Sequence, residues 1–299
     1  FRTAYCDTPG ASVLPKRFWT MNLAAVEGAV NDSYRYNPWR APGTAPVVDP
    51  CGQAGGKYPQ TPMGGDSVFY TTKYAKMGDM GSKLPPTTGT LPSWVAGTDV
   101  QVAWGMRFNH GGGYQYRICP ADSPLTEECF QRTPLDFVRG QQAILWNNGT
   151  RLPIEGAFVD GDVVRPRGST WARNPIPRIQ TDNIGMAKVG RCTTGPPRYG
   201  LWSGAKEDCQ QFPSACPALD TDWFNCTHSL SQGGCSQPGH NAGHFGQCSG
   251  DWPLGMVADH VRIPKGLAPG RYVVGWRMDC EETAQIWSNC ADVNIVAAA

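Results

Sequence analysis

Of the chain's 299 residues, 36 are Gly, 26 Pro and 12 Cys, and 26 Lys and Arg against 25 Asp and Glu leave a formal net charge of +1. The glycines keep no three-residue period, which excludes a collagen-like chain. A hydrophobic content of 40% with 11 Trp can bury a core, which excludes wholesale disorder. Balanced charge offers no excess for phosphates, and no run reaches the roughly 18 apolar residues of a spanning helix, so neither nucleic acid nor membrane is an expected partner.

In chain order, Phe1-Arg-Thr-Ala-Tyr-Cys6 has neither the basic stretch nor the apolar core of a secretory leader, as expected once a leader has been removed. Leu23 to Val30 predicts a short helix. From about residue 34 to 97 the sequence is dense in Gly, Pro and Thr and reads as irregular. Asp99 to Phe108 alternates, with Val100, Val102, Trp104 and Met106 on one face, and Tyr114 to Ile118 resumes the pattern after a glycine turn. Leu125 to Cys129 and Ala205 to Gln211 predict further short helices. Residues from about 192 to 252 hold six of the twelve cysteines and three of the five histidines, and read as a disulfide-stapled insertion. Strand patterns return at Met256 to Ile263, Arg271 to Met278 and Ala291 to Val296. The expectation is one all-β domain over residues 1–299, an immunoglobulin/fibronectin-III-like β-sandwich with long disulfide-stapled loops.

The cysteines run from Cys6 to Cys290 without zinc-type spacing, and Asn31, Asn148 and Asn225 each begin an Asn-x-Ser/Thr sequon. An even cysteine count with three sequons points to a secreted, extracellular glycoprotein with up to six disulfides. Cys280–Cys290, flanking a short excursion between strand-like runs, is the expected local pair, with Cys119–Cys129 similar in span.

The five histidines are the main chemical candidates. His260 falls mid-strand and reads as structural. His240 and His244, with His228, form a possible metal set in the Cys-rich insertion, against polar loop histidines. His110 ends a strand and precedes Gly111, Gly112 and Gly113, where a backbone without Cβ lets another group come close. No G-x-S-x-G elbow or Cys-His arrangement supports nucleophilic catalysis. Asp279, Glu281 and Glu282 flank Cys280, where a glycosidase carboxylate pair competes with a hydrogen-bonded loop end.

Several stretches together resemble the lytic polysaccharide monooxygenases, specifically a protist and algal group with the chitin-binding type of domain. They are Trp94-Val-Ala-Gly-Thr-Asp-Val100 leading to Trp104; Asn109 through Arg117; Ile263 through Tyr272; Trp276-Arg-Met-Asp-Cys-Glu-Glu282; and Gln285 through Val293. Asn37 through Pro46 and Asp49-Pro-Cys-Gly52 match the protist group. The resemblance spans roughly residues 35 to 297 and implies a copper ion held by a histidine brace that oxidises chitin, cellulose or a similar polysaccharide. By position it makes His110 a copper ligand, Trp287 the axial aromatic and Gln285 a polar neighbour of the metal.

The family's brace also uses an N-terminal histidine, where this sequence has Phe1. Three explanations are open: the histidine lies upstream, another histidine such as His240 or His244 completes the site, or the fold is kept without the chemistry. The expected function is therefore a secreted polysaccharide-binding protein with copper oxidation conditional on a second imidazole. The alternative is a non-catalytic structural extracellular protein that self-assembles as a homo-oligomer, filament, sheath or cell-wall subunit, favoured by near-zero net charge. A carbohydrate-binding module with sugar-stacking aromatics is a third reading.

Overall fold

A computed structural model describes residues 18–24, 38–54, 75–76, 78–87, 89–105, 111–146, 151–175, 255–280 and 284–298. The expected insertion at 192–252, its helix at Ala205 to Gln211, and His110, His228, His240, His244, Asn31, Asn148 and Asn225 lie outside these residues.

The fold is all-β. The described strands are β1 (Phe18–Met21), β2 (Gln53–Ala54), β3 (Ser93–Val95), β4 (Asp99–Trp104), β5 (Gly113–Pro120), β6 (Asp136–Phe137), β7 (Ala143–Trp146), β8 (Arg151–Pro153), β9 (Phe158–Val159), β10 (Trp171–Arg173), β11 (Gly255–Arg262), β12 (Gly270–Asp279) and β13 (Gln285–Val296). They form an eight-stranded sheet in the order β2-β1-β13-β12-β5-β10-β9, with β3 parallel to β13, and a five-stranded sheet in the order β4-β11-β7-β8, with β6 also on β11. The five strands expected from alternation are β4, β5, β11, β12 and β13. β13 starts at Gln285, six residues before the expected Ala291.

Strand parity explains how the sheets pack. Tyr114, Tyr116 and Ile118 of β5, Tyr272, Val274 and Met278 of β12, and Val293 and Ile295 of β13 sit two or four residues apart along their strands, so they share one face. They join Val257, Val261 and Ile144 of the second sheet in a single apolar core. Trp104 packs edge-on against Tyr114 at 4.8 Å and tilts against Trp276 at 5.1 Å, in the range where aromatic pairs add to simple burial.

The opposite face of the large sheet is buried too. A short helix, α1 (Glu127–Arg132), starts at Thr126, whose hydroxyl caps the Cys129 N–H at 3.3 Å. Glu127 and Glu128 in its first turn and Arg132 in its last complement the helix dipole. Its Phe130 lies on Gly275, where an added Cβ would stand 3.0 Å from the ring. The segment around residues 38–54 covers the neighbouring strands, with Asp49 accepting from Cys51 and Ser82 N–H groups.

Two disulfides fix this cover: Cys51–Cys290 (Cα–Cα 5.1 Å) and Cys119–Cys129 (5.6 Å). The expected Cys280–Cys290 bond is replaced. Cys290 lies opposite Gly275, whereas the Cys280 N–H donates to Gln285 O, so about five positions, roughly 17 Å, separate the two cysteines along the ladder. A disulfide spans at most about 7 Å between Cα atoms.

Candidate functional site

Of the residues singled out in the sequence, Gly111 to Gly113, Asp279, Gln285 and Trp287 are described, and they lie at one end of the eight-stranded sheet, where β5 begins, β12 ends and β13 begins. Gly113 lies opposite Asp279, which lies opposite Ile286; Tyr114 lies opposite Met278, which lies opposite Trp287. Gln285 and Trp287, two residues apart, share the face turned toward the second sheet, and both are half-buried. His110 lies outside the described residues, but the chain that leaves it, Gly111 to Gly113, is buried at this end.

The glycines have a structural reason. Gly111 and Gly112 have φ of 65° and 85°, which only glycine adopts readily. A Cβ on Gly112 would run into the Asp279 carbonyl oxygen, and one on Gly113 into Trp39 and the Ala172 carbonyl. The close approach expected at this turn is made by the protein's own backbone. Trp39 N–H donates to Cys280 O at 3.1 Å and Asn174 N–H to Gly112 O at 2.9 Å, closing four segments around the turn.

Beneath the turn lies a buried ionic network on the face away from the second sheet. Arg277 donates through Nε (2.7 Å) and Nη2 (3.1 Å) to Asp279, through Nη1 to Glu127 (2.8 Å), and through Nη2 to Ala45 O (2.9 Å). Arg117 pairs with the same Glu127 oxygen, and Gly43 N–H donates to Asp279 at 2.8 Å. Arg117, Arg277 and Asp279 are fully buried. Burial raises the Glu127 carboxyl, but the Arg117 and Arg277 guanidiniums override it and hold it near 2. Arg277 stacks on Trp171 at 6.0 Å and Arg173 on Trp39 at 5.5 Å, with the two indoles 6.5 Å apart. Asp279 is committed to Arg277 and Gly43, the hydrogen-bonded arrangement expected of a loop end. Glu281 and Glu282 lie outside the described residues.

A second buried polar centre joins the two sheets. Asp259 of β11 accepts from Tyr114 (3.1 and 3.0 Å), Tyr116 (3.0 Å) and Gln142 (2.7 Å), and Gln142 also donates to the Tyr114 hydroxyl at 2.7 Å. Burial raises Asp259 from 3.8 to about 6, against the lowering effect of those three donors. Tyr114 and Tyr116 are pushed well above 10 by burial and by the Asp259 charge. Sequence reasoning passed over Asp259 in favour of its neighbour His260, although Asp259 shares parity with Val257, Val261 and Ile263. His260 lies on the outward face, half-buried opposite Gln101.

Among the described residues no group of three or more His, Cys, Asp or Glu could hold a metal ion. They do not by themselves make a copper centre. No helix among them is long and apolar enough to cross a membrane. No protein-family model and no curated protein matches the chain.

Proposed function

We propose that the chain is a secreted polysaccharide-binding protein resembling the lytic polysaccharide monooxygenases, built on an immunoglobulin/fibronectin-III-like sandwich, with its glycan site formed by Gln285 and Trp287 at the sheet end where β5 begins, together with His110. The observation that carries this reading is one of neighbourhood. Three stretches on which the resemblance rests, 109–117, 276–282 and 285–293, contribute to three adjacent strands, with Gln285 and Trp287 of β13 at the end where β5 begins. Two disulfides, one closing a separation of 239 residues, support an oxidising compartment. A near-neutral chain suits an uncharged chitin- or cellulose-like polymer. His110 supplies the imidazole in the copper half of the reading.

Two assays separate the halves. Retention on insoluble chitin or cellulose that falls when His110 or Gln285 is replaced by Ala supports the glycan site; no retention on any neutral polysaccharide overturns it. Calorimetric titration with Cu(II), repeated on His110→Ala, tests the metal, and absence of a tight site removes oxidation while leaving binding intact.

The second reading, a self-assembling extracellular structural protein, is favoured by the net charge of +1, which sets up little repulsion between copies. Sedimentation at rising concentration distinguishes it from a monomeric glycan binder.

A further inference from the structure

The sheet edges of this fold are treated unequally. β2 and β9, which end the large sheet, have two residues each, and β3 has three. β8, at one edge of the small sheet, has three residues, begins with Arg151 and ends with Pro153, which has no N–H to offer. Short strands, charge and proline are the devices by which proteins blunt edges against pairing. β4 is neither short nor broken by proline. Among the described residues it is the other edge of the small sheet, six residues long, Asp-Val-Gln-Val-Ala-Trp, with no Lys, Pro or positive φ; its one charge, Asp99, is taken up by Arg262.

The direction of its free groups follows from its neighbour. His260 O accepts from Val138 N–H on the β6 side of β11, so His260 points away from β4, whereas Ile263 N–H donates to Thr98 O. Val257, Asp259 and Val261 therefore bond toward β4, to Trp104, Val102 and Val100. That leaves the N–H and C=O groups of Asp99, Gln101 and Ala103 pointing outward.

We infer that β4 is an interface for a second copy of this chain, paired antiparallel about a two-fold axis at Gln101. In this register Gln101 faces its own counterpart, Asp99 faces Ala103 and Val100 faces Val102. The three outward residues of each copy exchange about six backbone hydrogen bonds. Charge favours a second copy as the occupant: the carboxylates of the two strands lie at opposite ends, and the net charge of +1 adds little repulsion. Val100 and Val102, which pack against the core, continue the apolar side of the small sheet across the axis. A two-fold contact closes on itself, so it makes a dimer and not a fibre. The interface does not depend on the glycan reading.

The test uses the full chain. Gln101 is exposed, its side chain on the outer face where Arg151 reaches it at 3.4 Å, so charge there spares the core. Sedimentation velocity from about 1 to about 200 µM shows a monomer–dimer equilibrium. Gln101→Lys and Gln101→Glu each place like charges across the axis and weaken it by about tenfold or more, and mixing the two variants restores it. In the unaltered chain, hydrogen exchange at the amides of Asp99, Gln101 and Ala103 slows as concentration rises, a readout that needs no variant. A concentration-independent monomer overturns the interface, as does a dimer that both Gln101 variants leave unchanged, which would put the contact elsewhere.

Discussion

Asp259 and Glu127 are buried or half-buried carboxylates whose environments pull their protonation in opposite directions, so their contributions to stability run oppositely with pH. Asp259 is raised from 3.8 to about 6, so the folded state holds its proton longer than the unfolded state, and its stabilising contribution is lost as pH rises from about 4 through about 6. Glu127 is lowered from 4.5 to about 2, so its contribution is present above about 4.5 and is lost as pH falls toward 2. From these two groups, urea midpoints should peak near pH 4 to 5 and decline on both sides. Asp259→Asn should flatten the decline between pH 4 and 6.5 and be at least as stable as the parent at pH 7, since the Asn amide can donate to Gln142 Oε1, buried and without a partner among the described residues. A pH 7 loss of several kcal/mol would show that the Asp259 charge stabilises the inter-sheet network. Gly112→Ala should cost several kcal/mol by thermal unfolding, because a Cβ meets backbone at a φ of 85°. At this scale the glycine turn was legible in the sequence but its reason was not: the group that approaches it, Asp279 O, comes from a strand more than 160 residues away.

Among the elements, α1 and the segment around residues 38–54 convert what looks like a solvent face into a buried one. Alternation in β5 and β12 sets Gln115, Arg117, Arg277 and Asp279 opposite the aromatics, as in an ordinary half-exposed strand. Only the tertiary structure shows a helix, a loop and two disulfides closing over them. Replacing Glu127 by Ala leaves Arg117 and Arg277 facing each other without their shared anion. It should lower unfolding free energy by about 3–5 kcal/mol, measured by chemical denaturation, with Glu127→Gln milder because it keeps a hydrogen bond. Thr126→Ala, which removes only the helix cap, should cost about 1 kcal/mol. Non-reducing peptide mapping should recover Cys51 linked to Cys290 and Cys119 linked to Cys129; a Cys280–Cys290 peptide would contradict the strand register. The Cys119–Cys129 span was readable because ten residues separate its ends, whereas the partner of Cys290 lies 239 residues away, beyond any local spacing rule.

For the whole molecule, composition and period-two alternation were enough for the all-β class and for the five long strands that carry both sheets. The strands of two to four residues, β1, β2, β3 and β6 to β10, were not legible, since so few residues cannot show a period and are held by pairing with longer neighbours. The candidate site was legible as scattered stretches, and the fold adds that three of them run on the adjacent strands β5, β12 and β13, with Gln285 and Trp287 at the end where β5 begins. Binding of the full chain to crystalline chitin and cellulose, compared with His110→Ala and Gln285→Ala variants that keep the parent's near-ultraviolet circular dichroism, tests that placement most directly. The account predicts saturable retention by the parent and a loss of about tenfold or more in affinity for the variants. Retention unchanged by both variants, or no retention by the parent, would contradict it.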